Sequence, residues 1–162
     1  MIRDVKPADA TQIVEIYNYY ILNSTVTFEE EAVAVADMEG RIADITVKYP
    51  WLVFELEGKV VGYAYASAWK SRCAYKYSVE TTVYLKNGFS GKGIGSELYT
   101  ELLARLQKLS LHGIIGGVAI PNDGCIALHQ KFGFEKVAHF KEVGFKFDKW
   151  IDVTYWEKIL NN

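Results

Sequence analysis

The stretch Ser90-Gly91-Lys92-Gly93-Ile94-Gly95-Ser96 decides which fold the sequence predicts. It follows a predicted strand over residues 77–85 and opens an amphipathic helix. Apolar residues recur along that helix at helical spacing: Ile94, Leu98, Leu102, Leu106 and Leu109. Glycines let a ligand approach the main chain closely, and the free N–H groups at a helix start favour an anion. The stretch therefore predicts a phosphate-bearing ligand at this junction, with Lys92 adding charge at the rim.

Two better-known glycine motifs do not match this loop. A P-loop requires G-x-x-x-x-G-K-[ST], and a dinucleotide-binding fingerprint requires G-x-G-x-x-G. The spacing in this chain is G-x-G-x-G. A plain glycine-rich turn without a ligand remains the alternative, because such turns are common.

The hydrophobic pattern along the chain predicts the element order β-α-α-β-β-β-α-β-α-β-β. Strands are expected over residues 2–5, 51–56, 60–68, 77–85, 114–120, 134–143 and 145–156, and helices over 9–20, 37–48, 94–109 and 123–132. Glu57-Gly58 and Gly144 mark the turns of two hairpins. The strands that flank the later helices need crossover connections, so at least one strand pair should be parallel. The pattern thus predicts a mixed sheet with helices on both faces.

Composition sets the broad class of the protein. The chain has 162 residues, half of them hydrophobic and 23% charged, which fits a single domain over 1–162. Its formal charge of −2 argues against nucleic acid as a partner. Cys73 and Cys125 lack disulfide or metal-ligand spacing, and neither a signal region nor a membrane-spanning stretch is evident. A cytoplasmic protein with no membrane partner is expected.

The glycine loop and the element order together resemble the GNAT superfamily of N-acetyltransferases. That family carries [QR]-x-x-G-x-[GA] at the same junction, where it binds the pyrophosphate of acetyl-CoA; Gly93 and Gly95 match, and Ser90 replaces the usual Gln or Arg. The resemblance implies an α/β (α+β mixed) fold, with a mostly antiparallel sheet of about seven strands flanked by about four helices. It also implies acetyl-CoA as co-substrate and no metal.

Short stretches spanning nearly the whole chain resemble, in order, the phosphinothricin acetyltransferase group. They comprise Ile16-Tyr17-Asn18, Thr27-Phe28, Trp69-Lys70-Ser71-Arg72, Ala74-Tyr75, Val79-Glu80-Thr81-Thr82-Val83-Tyr84, Pro121-Asn122, Leu128-His129, Gly133-Phe134, Val143-Gly144-Phe145-Lys146, Trp150-Ile151-Asp152-Val153 and Trp156. The resemblance implies acetylation of the amino group of a small amino acid or analogue, of the phosphinothricin, methionine sulfoximine or methionine sulfone type. Relatives in this group are commonly homodimers, so a homodimer is expected.

Two residues are candidates for catalysis. The resemblance implies that Glu80, on the strand before the loop, is the general base for the amine; the alternative is an exposed strand glutamate. It also implies that His129 assists, since an imidazole titrates near neutrality; the alternative is a structural helix histidine. Thr82 shares the face of Glu80, and Thr81 lies on the other face.

The remaining candidates bind the two substrates. For acetyl-CoA, the resemblance implies the backbone of Val83, Tyr84 and Leu85, the whole loop from Ser90 to Ser96, and Asn122, which also suits the N-cap of the next helix. For the acceptor, Arg72 is expected to hold a carboxylate with paired hydrogen bonds. The other acceptor candidates are Phe28 as a wall, together with Lys70, Ser71, Tyr75, Glu80, Thr81 and Thr82.

Other functions remain open at this point. The same chemistry could serve another small amine or a protein N-terminus. The chain could also be a non-catalytic acetyl-CoA-binding module, which would keep the glycine loop without needing Glu80.

Overall fold

The computed structural model describes residues 1–161, and in them the predicted order of strands and helices is confirmed. The seven strands and four α-helices are β1 (Ile2–Asp4), α1 (Ala10–Asn23), α2 (Val35–Thr46), β2 (Trp51–Leu56), β3 (Lys59–Ala68), β4 (Ser78–Leu85), α3 (Ile94–Leu106), β5 (Gly113–Ala119), α4 (Asp123–Lys131), β6 (Glu135–Lys146) and β7 (Lys149–Ile159). Short 3-10 turns cover Pro7–Asp9 and Cys73–Tyr75. No helix within the described residues is long and apolar enough to cross a membrane.

The strands form a mixed sheet of order β1-β2-β3-β4-β5-β7-β6. Antiparallel ladders join β1 to β2, β2 to β3, β5 to β7 and β6 to β7. The pair β4 and β5, which flanks α3, is parallel, as a crossover connection requires. Their ladder runs from Ser78 opposite Gly113 to Glu80 opposite Ile115. The predicted mixed, mostly antiparallel sheet of seven strands is therefore confirmed.

The chain forms two compact units whose segments alternate along the sequence. Unit 1 comprises Met1–Tyr19, Val33–Ser67 and Thr81–Ser110. Unit 2 comprises Tyr20–Ala32, Ala68–Glu80 and the chain from Leu111 onward. Each unit has its own buried apolar side chains. In unit 1 they include Leu98 and Leu102 of α3, and in unit 2 they include Ile114 and Val118 of β5.

The closing hairpin differs from its prediction. A turn at Gly144 was expected, but this is wrong: β6 continues through Gly144, which pairs with Ile151, and ends at Lys146 opposite Lys149. The turn consists of Phe147 and Asp148, with φ of 52° and 57°. Two residues at positive φ form the hairpin turn that matches strand twist, usually with Asn or Gly. Phe-Asp is not a typical pair for this turn, so the sequence predicts the turn at the nearest glycine, Gly144.

The core of unit 1 yields a stability prediction. Leu102 is fully buried on α3, so Leu102→Ala should lower the free energy of unfolding by about 2–5 kcal/mol. Leu22 on α1 is 56% exposed, and Leu22→Ala should change it by less than about 0.5 kcal/mol. Urea denaturation followed by circular dichroism measures both. Equal losses in the two variants would contradict the assigned core.

Candidate active site

The glycine loop in unit 1 leaves open space beside its backbone. Gly91 and Gly93 have φ of +76° and +83°, a conformation that L side chains rarely adopt. A Cβ built on either residue meets no atom within 4 Å. Gly93 is the N-cap of α3 and provides no side-chain cap, so the first N–H groups of the helix, at Ile94 and Gly95, lack an intrahelical acceptor. A loop of this form fits a phosphate-bearing ligand.

Side chains contribute little charge to this loop. Ser90 and Lys92 are exposed, and the ammonium of Lys92 lies 4.7 Å from the centroid of the Phe89 ring. Neither side chain has a hydrogen-bond partner among residues 1–161. The backbone is therefore the main source of anion-binding groups, and Lys92 supplies the one cationic side chain of the stretch.

The end of β4 packs its side chains inside unit 1. The Tyr84 ring contacts the rings of Tyr17 and Tyr63, with centroids 5.3 and 5.7 Å away. Leu85 lies against Gly62, where an added Cβ would be 2.6 Å from its Cδ2. A contact from this stretch to a cofactor would thus come from its backbone, as the family resemblance implies. Val83, the residue before Tyr84, is half-buried.

Alternation along β4 separates Thr81 from its neighbours. The Thr81 hydroxyl is buried and lies 2.5 Å from the Tyr99 hydroxyl of α3. Glu80 and Thr82 are half-buried, and their side chains point to the opposite face of the strand. The Thr81 side chain is therefore occupied in the core of unit 1 rather than on the face of Glu80.

Glu80 ends the parallel ladder of β4 and β5 in unit 2. Its carboxylate is half-buried and makes no hydrogen bond with any described residue. Burial raises the pKa of Glu80, and the positive charge of Lys70 partly opposes that rise. The result is a carboxyl group with a high proton affinity and unused acceptor capacity, which are the properties of a general base.

Gly117 of β5 gives the Glu80 carboxylate its space. A Cβ on Gly117 would lie 3.3 Å from Oε1 of Glu80 and 3.1 Å from Cε1 of Tyr155 on β7. Burial, followed by the negative charge of Glu80, raises the pKa of Tyr155, so this phenol stays protonated at neutral pH. A side chain at position 117 would therefore press on both groups, which would have to move by a few tenths of an ångström.

Aromatic rings pack around Tyr155, the neighbour of this carboxylate. The Tyr155 ring makes edge contacts with Trp69 and Phe140, with centroids 5.4 and 5.8 Å away. The Lys70 ammonium lies over the Trp69 ring at 4.9 Å. We call this set, Glu80 with Trp69, Lys70, Phe140 and Tyr155, the Glu80 cluster. An ammonium ion would find both a carboxylate and ring faces here.

Sequence reasoning missed three residues of this arrangement: Gly117, Phe140 and Tyr155. The pair Gly116-Gly117 inside a predicted strand was the available signal, because strand glycines often mark the close approach of another group. Nothing in the sequence places Tyr155 beside Glu80, since the two lie on strands separated by β5.

His129 approaches β5 from the other face. It is 2% exposed, and its Nδ1–H donates to the Cys125 carbonyl at 2.8 Å, so the lone pair is on Nε2. A Cβ on Gly116 would overlap that Nε2 atom. Consecutive strand residues point to opposite faces, so His129 meets the face opposite Glu80 and is not part of the Glu80 cluster. Burial lowers the pKa of His129, the Cys125 carbonyl partly opposes this, and the imidazole is neutral at pH 7.

The start of α4 accounts for two further residues. Asn122 is its N-cap, and its Oδ1 accepts a hydrogen bond from the Cys125 N–H at 3.1 Å. The Asn122 side-chain amide donates to no described residue and so remains available for a ligand. Burial raises the pKa of the Cys125 thiol to about 11, which keeps it protonated and unreactive.

The acceptor candidates lie in two loops of unit 2. Ser71, Arg72 and Tyr75 are exposed in the loop between β3 and β4. The Arg72 guanidinium makes no hydrogen bond or ion pair within residues 1–161. Phe28, in the loop after α1, is 42% exposed and lies on Gly144 of β6. The structure thus joins Lys70 to the Glu80 cluster through its charge, but it shows no contact that joins Arg72 or Phe28 to Glu80. In residues 1–161, no group of three His, Cys, Asp or Glu side chains could hold a metal ion.

Comparison with known proteins identifies the family. The family model described as "Acetyltransferase (GNAT) domain" matches residues 2–155. A phosphinothricin N-acetyltransferase of Streptomyces viridochromogenes is 36% identical over 157 residues, covering 97% of this chain and 86% of that protein. An L-methionine sulfoximine/L-methionine sulfone acetyltransferase of Salmonella typhimurium is 33% identical over 160 residues, covering 96% of this chain and 92% of that protein.

A solved structure agrees with these relatives. A phosphinothricin acetyltransferase from Sinorhizobium meliloti, crystallised in complex with AcCoA, superposes with a TM-score of 0.96 at 38% identity. The match covers 99% of this chain and 88% of that one. Family model, relatives and solved structure all match nearly the whole chain, so this chain belongs to the GNAT family of acetyltransferases.

Proposed function

We propose that this N-acetyltransferase transfers the acetyl group of acetyl-CoA to the amino group of a small amino acid or analogue. The substrate type is that of phosphinothricin, methionine sulfoximine or methionine sulfone, which the names of its relatives support. The observation that carries the proposal is the Glu80 carboxylate, which is half-buried, has a raised pKa and makes no hydrogen bond with any described residue. A structural glutamate would be paired or solvated; this one is prepared to accept a proton.

The glycine loop suits the phosphates of acetyl-CoA. The N–H groups at the start of α3 and the open space beside Gly91 and Gly93 form a backbone cradle, and Asn122 offers a side-chain amide. Ser90 in place of Gln or Arg leaves the pyrophosphate to backbone donors and to Lys92. The thioester of acetyl-CoA supplies the activated acetyl group.

Glu80 is the proposed general base. An amino group is protonated at neutral pH and must lose its proton before it can attack a thioester carbonyl. Glu80 accepts that proton, directly or through a water molecule. Its raised pKa reduces the difference between the pKa of the carboxyl group and that of the amine. Tyr155, protonated beside it, is placed to donate a hydrogen bond to a bound acceptor.

His129 is proposed to assist from the opposite face of β5. Its Nδ1–H donates to the Cys125 carbonyl, so in the neutral ring Nε2 carries the lone pair and is an acceptor rather than a donor. The assistance proposed for His129 is therefore that of a proton or hydrogen-bond acceptor.

Arg72 is the proposed anchor for the acceptor carboxylate. Its guanidinium is exposed and unpaired, so binding a carboxylate breaks no existing ion pair. Ser71 and Tyr75 lie in the same loop, Lys70 adds positive charge, and Phe28 forms a wall. Thr82, on the face of Glu80, completes the proposed acceptor site.

We also propose that the enzyme is a cytoplasmic homodimer acting as one domain. Phe145 and Trp150 pair across the β6–β7 hairpin at 4.8 Å and are 52% and 64% exposed, a surface that a second copy would cover. Free thiols at Cys73 and Cys125 suit the reducing cytoplasm, where acetyl-CoA is available. A single domain is supported because neither unit is a continuous stretch of chain.

Removal of the proposed anchor should act on one substrate only. Arg72→Ala should raise the acceptor KM about 10–100-fold and leave the acetyl-CoA KM unchanged, because a charge-assisted bidentate contact is lost. Lys76→Ala, which removes another exposed cation of the same loop, is the control and should change neither KM. Steady-state kinetics with thiol-release detection measure both, and equal changes in the two KM values after Arg72→Ala would contradict the role.

The same assay separates the alternative functions. Amino acids, simple amines and peptides with free N-termini are compared as acceptors. Turnover with peptides alone would favour a protein N-terminus as substrate. Tight acetyl-CoA binding without turnover of any amine would favour a non-catalytic module.

Glu80→Gln should lose activity and gain stability. Loss of the base should lower kcat about 10²–10⁴-fold. The folded-state pKa of Glu80 lies above its ordinary value of 4.5, so ionising it costs folding free energy as pH rises through that folded pKa. The variant should therefore have a higher Tm than the parent at pH 7.5, with no difference below about pH 4.5. Glu135→Gln, at an exposed strand position, should alter neither kcat nor Tm; a Tm loss in Glu80→Gln would contradict the assigned environment.

The proposed dimer surface can be tested at its most exposed ring. Trp150→Asp should convert the dimer to a monomer in sedimentation velocity, because a charge replaces a large apolar contact. Val47→Asp, on the similarly exposed Val47 of unit 1, is the control and should leave the dimer intact. A parent protein that sediments as a monomer would contradict the proposal.

A further inference from the structure

The stretch Val143-Gly144-Phe145-Lys146 has no role in the chemistry above. Across from it in unit 2 lies a loop that we call the strap, residues 24–32 between α1 and α2. The strap contains no helix or strand. Two weak turns support it internally: the Val26 N–H donates to the Ser24 hydroxyl and the Glu29 N–H to the Thr27 hydroxyl, each at 3.4 Å. Phe28 belongs to the strap, so contacts that hold the strap in place also hold the Phe28 ring in place.

Lys146 supplies one attachment. It is only 2% exposed, and its ammonium donates to the Thr27 carbonyl at 2.9 Å. Burial lowers the pKa of Lys146, and the negative charge of Glu30 in the same strap opposes that effect. Burying an ammonium is costly, so this position does not favour lysine unless the ammonium makes a required contact. Its ammonium lies 5.1 Å from the centroid of the adjacent Phe147 ring, and its hydrogen bond goes to the strap backbone.

Gly144 supplies the other attachment. A Cβ built on it would overlap three carbons of the Phe28 ring. The ring therefore rests directly on the β6 backbone, in space that only glycine leaves open. Gly144 and Lys146 are two residues apart and both buried, whereas Phe145 between them is exposed. Both attachments thus lie on one face of β6.

We infer that Gly144 and Lys146 are positioning residues that seat the strap on β6 and thereby set the place of Phe28 in the acceptor site. The inference rests on the proposed function for the role of Phe28 as an acceptor wall. It explains why the glycine of this hairpin lies inside β6 rather than at the turn. Substitutions at either position act on acceptor binding through Phe28, without touching acetyl-CoA or the Glu80 carboxylate.

A double-variant cycle tests the coupling to Phe28. Gly144→Ala and Lys146→Met should each raise the acceptor KM about tenfold, with the acetyl-CoA KM and kcat within about twofold of the parent. Phe28→Ala should raise the acceptor KM to a similar level. Adding Gly144→Ala or Lys146→Met to Phe28→Ala should produce no further rise, because the ring that they position is gone. Gly40→Ala is the matched control, since a Cβ there meets nothing within 4 Å.

Hydrogen exchange supplies a readout that does not depend on turnover. Lys146→Met should speed amide exchange in residues 24–32 and leave β2 and β3 unchanged. Unchanged exchange in the strap would overturn the inference. KM increases that simply multiply in the Phe28→Ala background would also overturn it, since they would indicate general damage to β6. A parent enzyme with no turnover would instead refute the proposed function. The exchange result alone would then decide whether Lys146 holds the strap on β6.

Discussion

Two consecutive glycines in β5 are the constraint on which the packing of Glu80, Tyr155 and His129 in unit 2 depends. Gly116 leaves room on one face for His129, and Gly117 leaves room on the other for Glu80 and Tyr155. A side chain at position 116 would overlap the His129 ring, and one at position 117 would crowd Glu80 and Tyr155. Strand glycines weaken a sheet, and the apolar neighbours Ile114 and Val118 offset that loss by their burial. The alternation of a strand then places a carboxylate and an imidazole on opposite faces of one backbone.

Environment separates the proposed general base, Glu80, from a structural carboxylate, Asp9. In Asp9, burial alone would raise the pKa, but hydrogen bonds from Arg3 and from the Lys6 N–H outweigh it and hold the pKa below its ordinary value. Glu80 is half-buried and has no such donor, so burial raises its pKa. The difference lies in the hydrogen-bond partners and not in the residue type. A carboxylate that is to accept a proton must lack hydrogen-bond donors, and a buried carboxylate without donors lowers the free energy of unfolding.

Local pattern was enough to predict the element order and the strand-to-helix junction. Glycine spacing and the leucine period of α3 are short-range signals, and α3 begins at Ile94 as they indicated. What failed depends on contacts that are distant in sequence. Gly144 was taken for a turn residue because its partner, Phe28, lies more than a hundred positions earlier. The place of Tyr155 beside Glu80 follows from the strand order, and the burial of His129 on α4 follows from packing on β5. Neither can be recognised from the neighbouring residues in the sequence.

The alternating segments of the two units bear on how such an enzyme diversifies. Residues 20–32 and 68–80 are the two short pieces of unit 2 that interrupt unit 1 in the sequence. One carries Phe28, and the other carries Lys70, Arg72 and Glu80. No single recombination crossover can exchange one unit for another, because the units are interleaved. Under the proposed assignment of acceptor residues, short insertions, deletions and point changes within these two pieces alter the amine that is recognised, while the glycine loop is inherited intact. Acceptor range and cofactor use can therefore evolve independently within one gene.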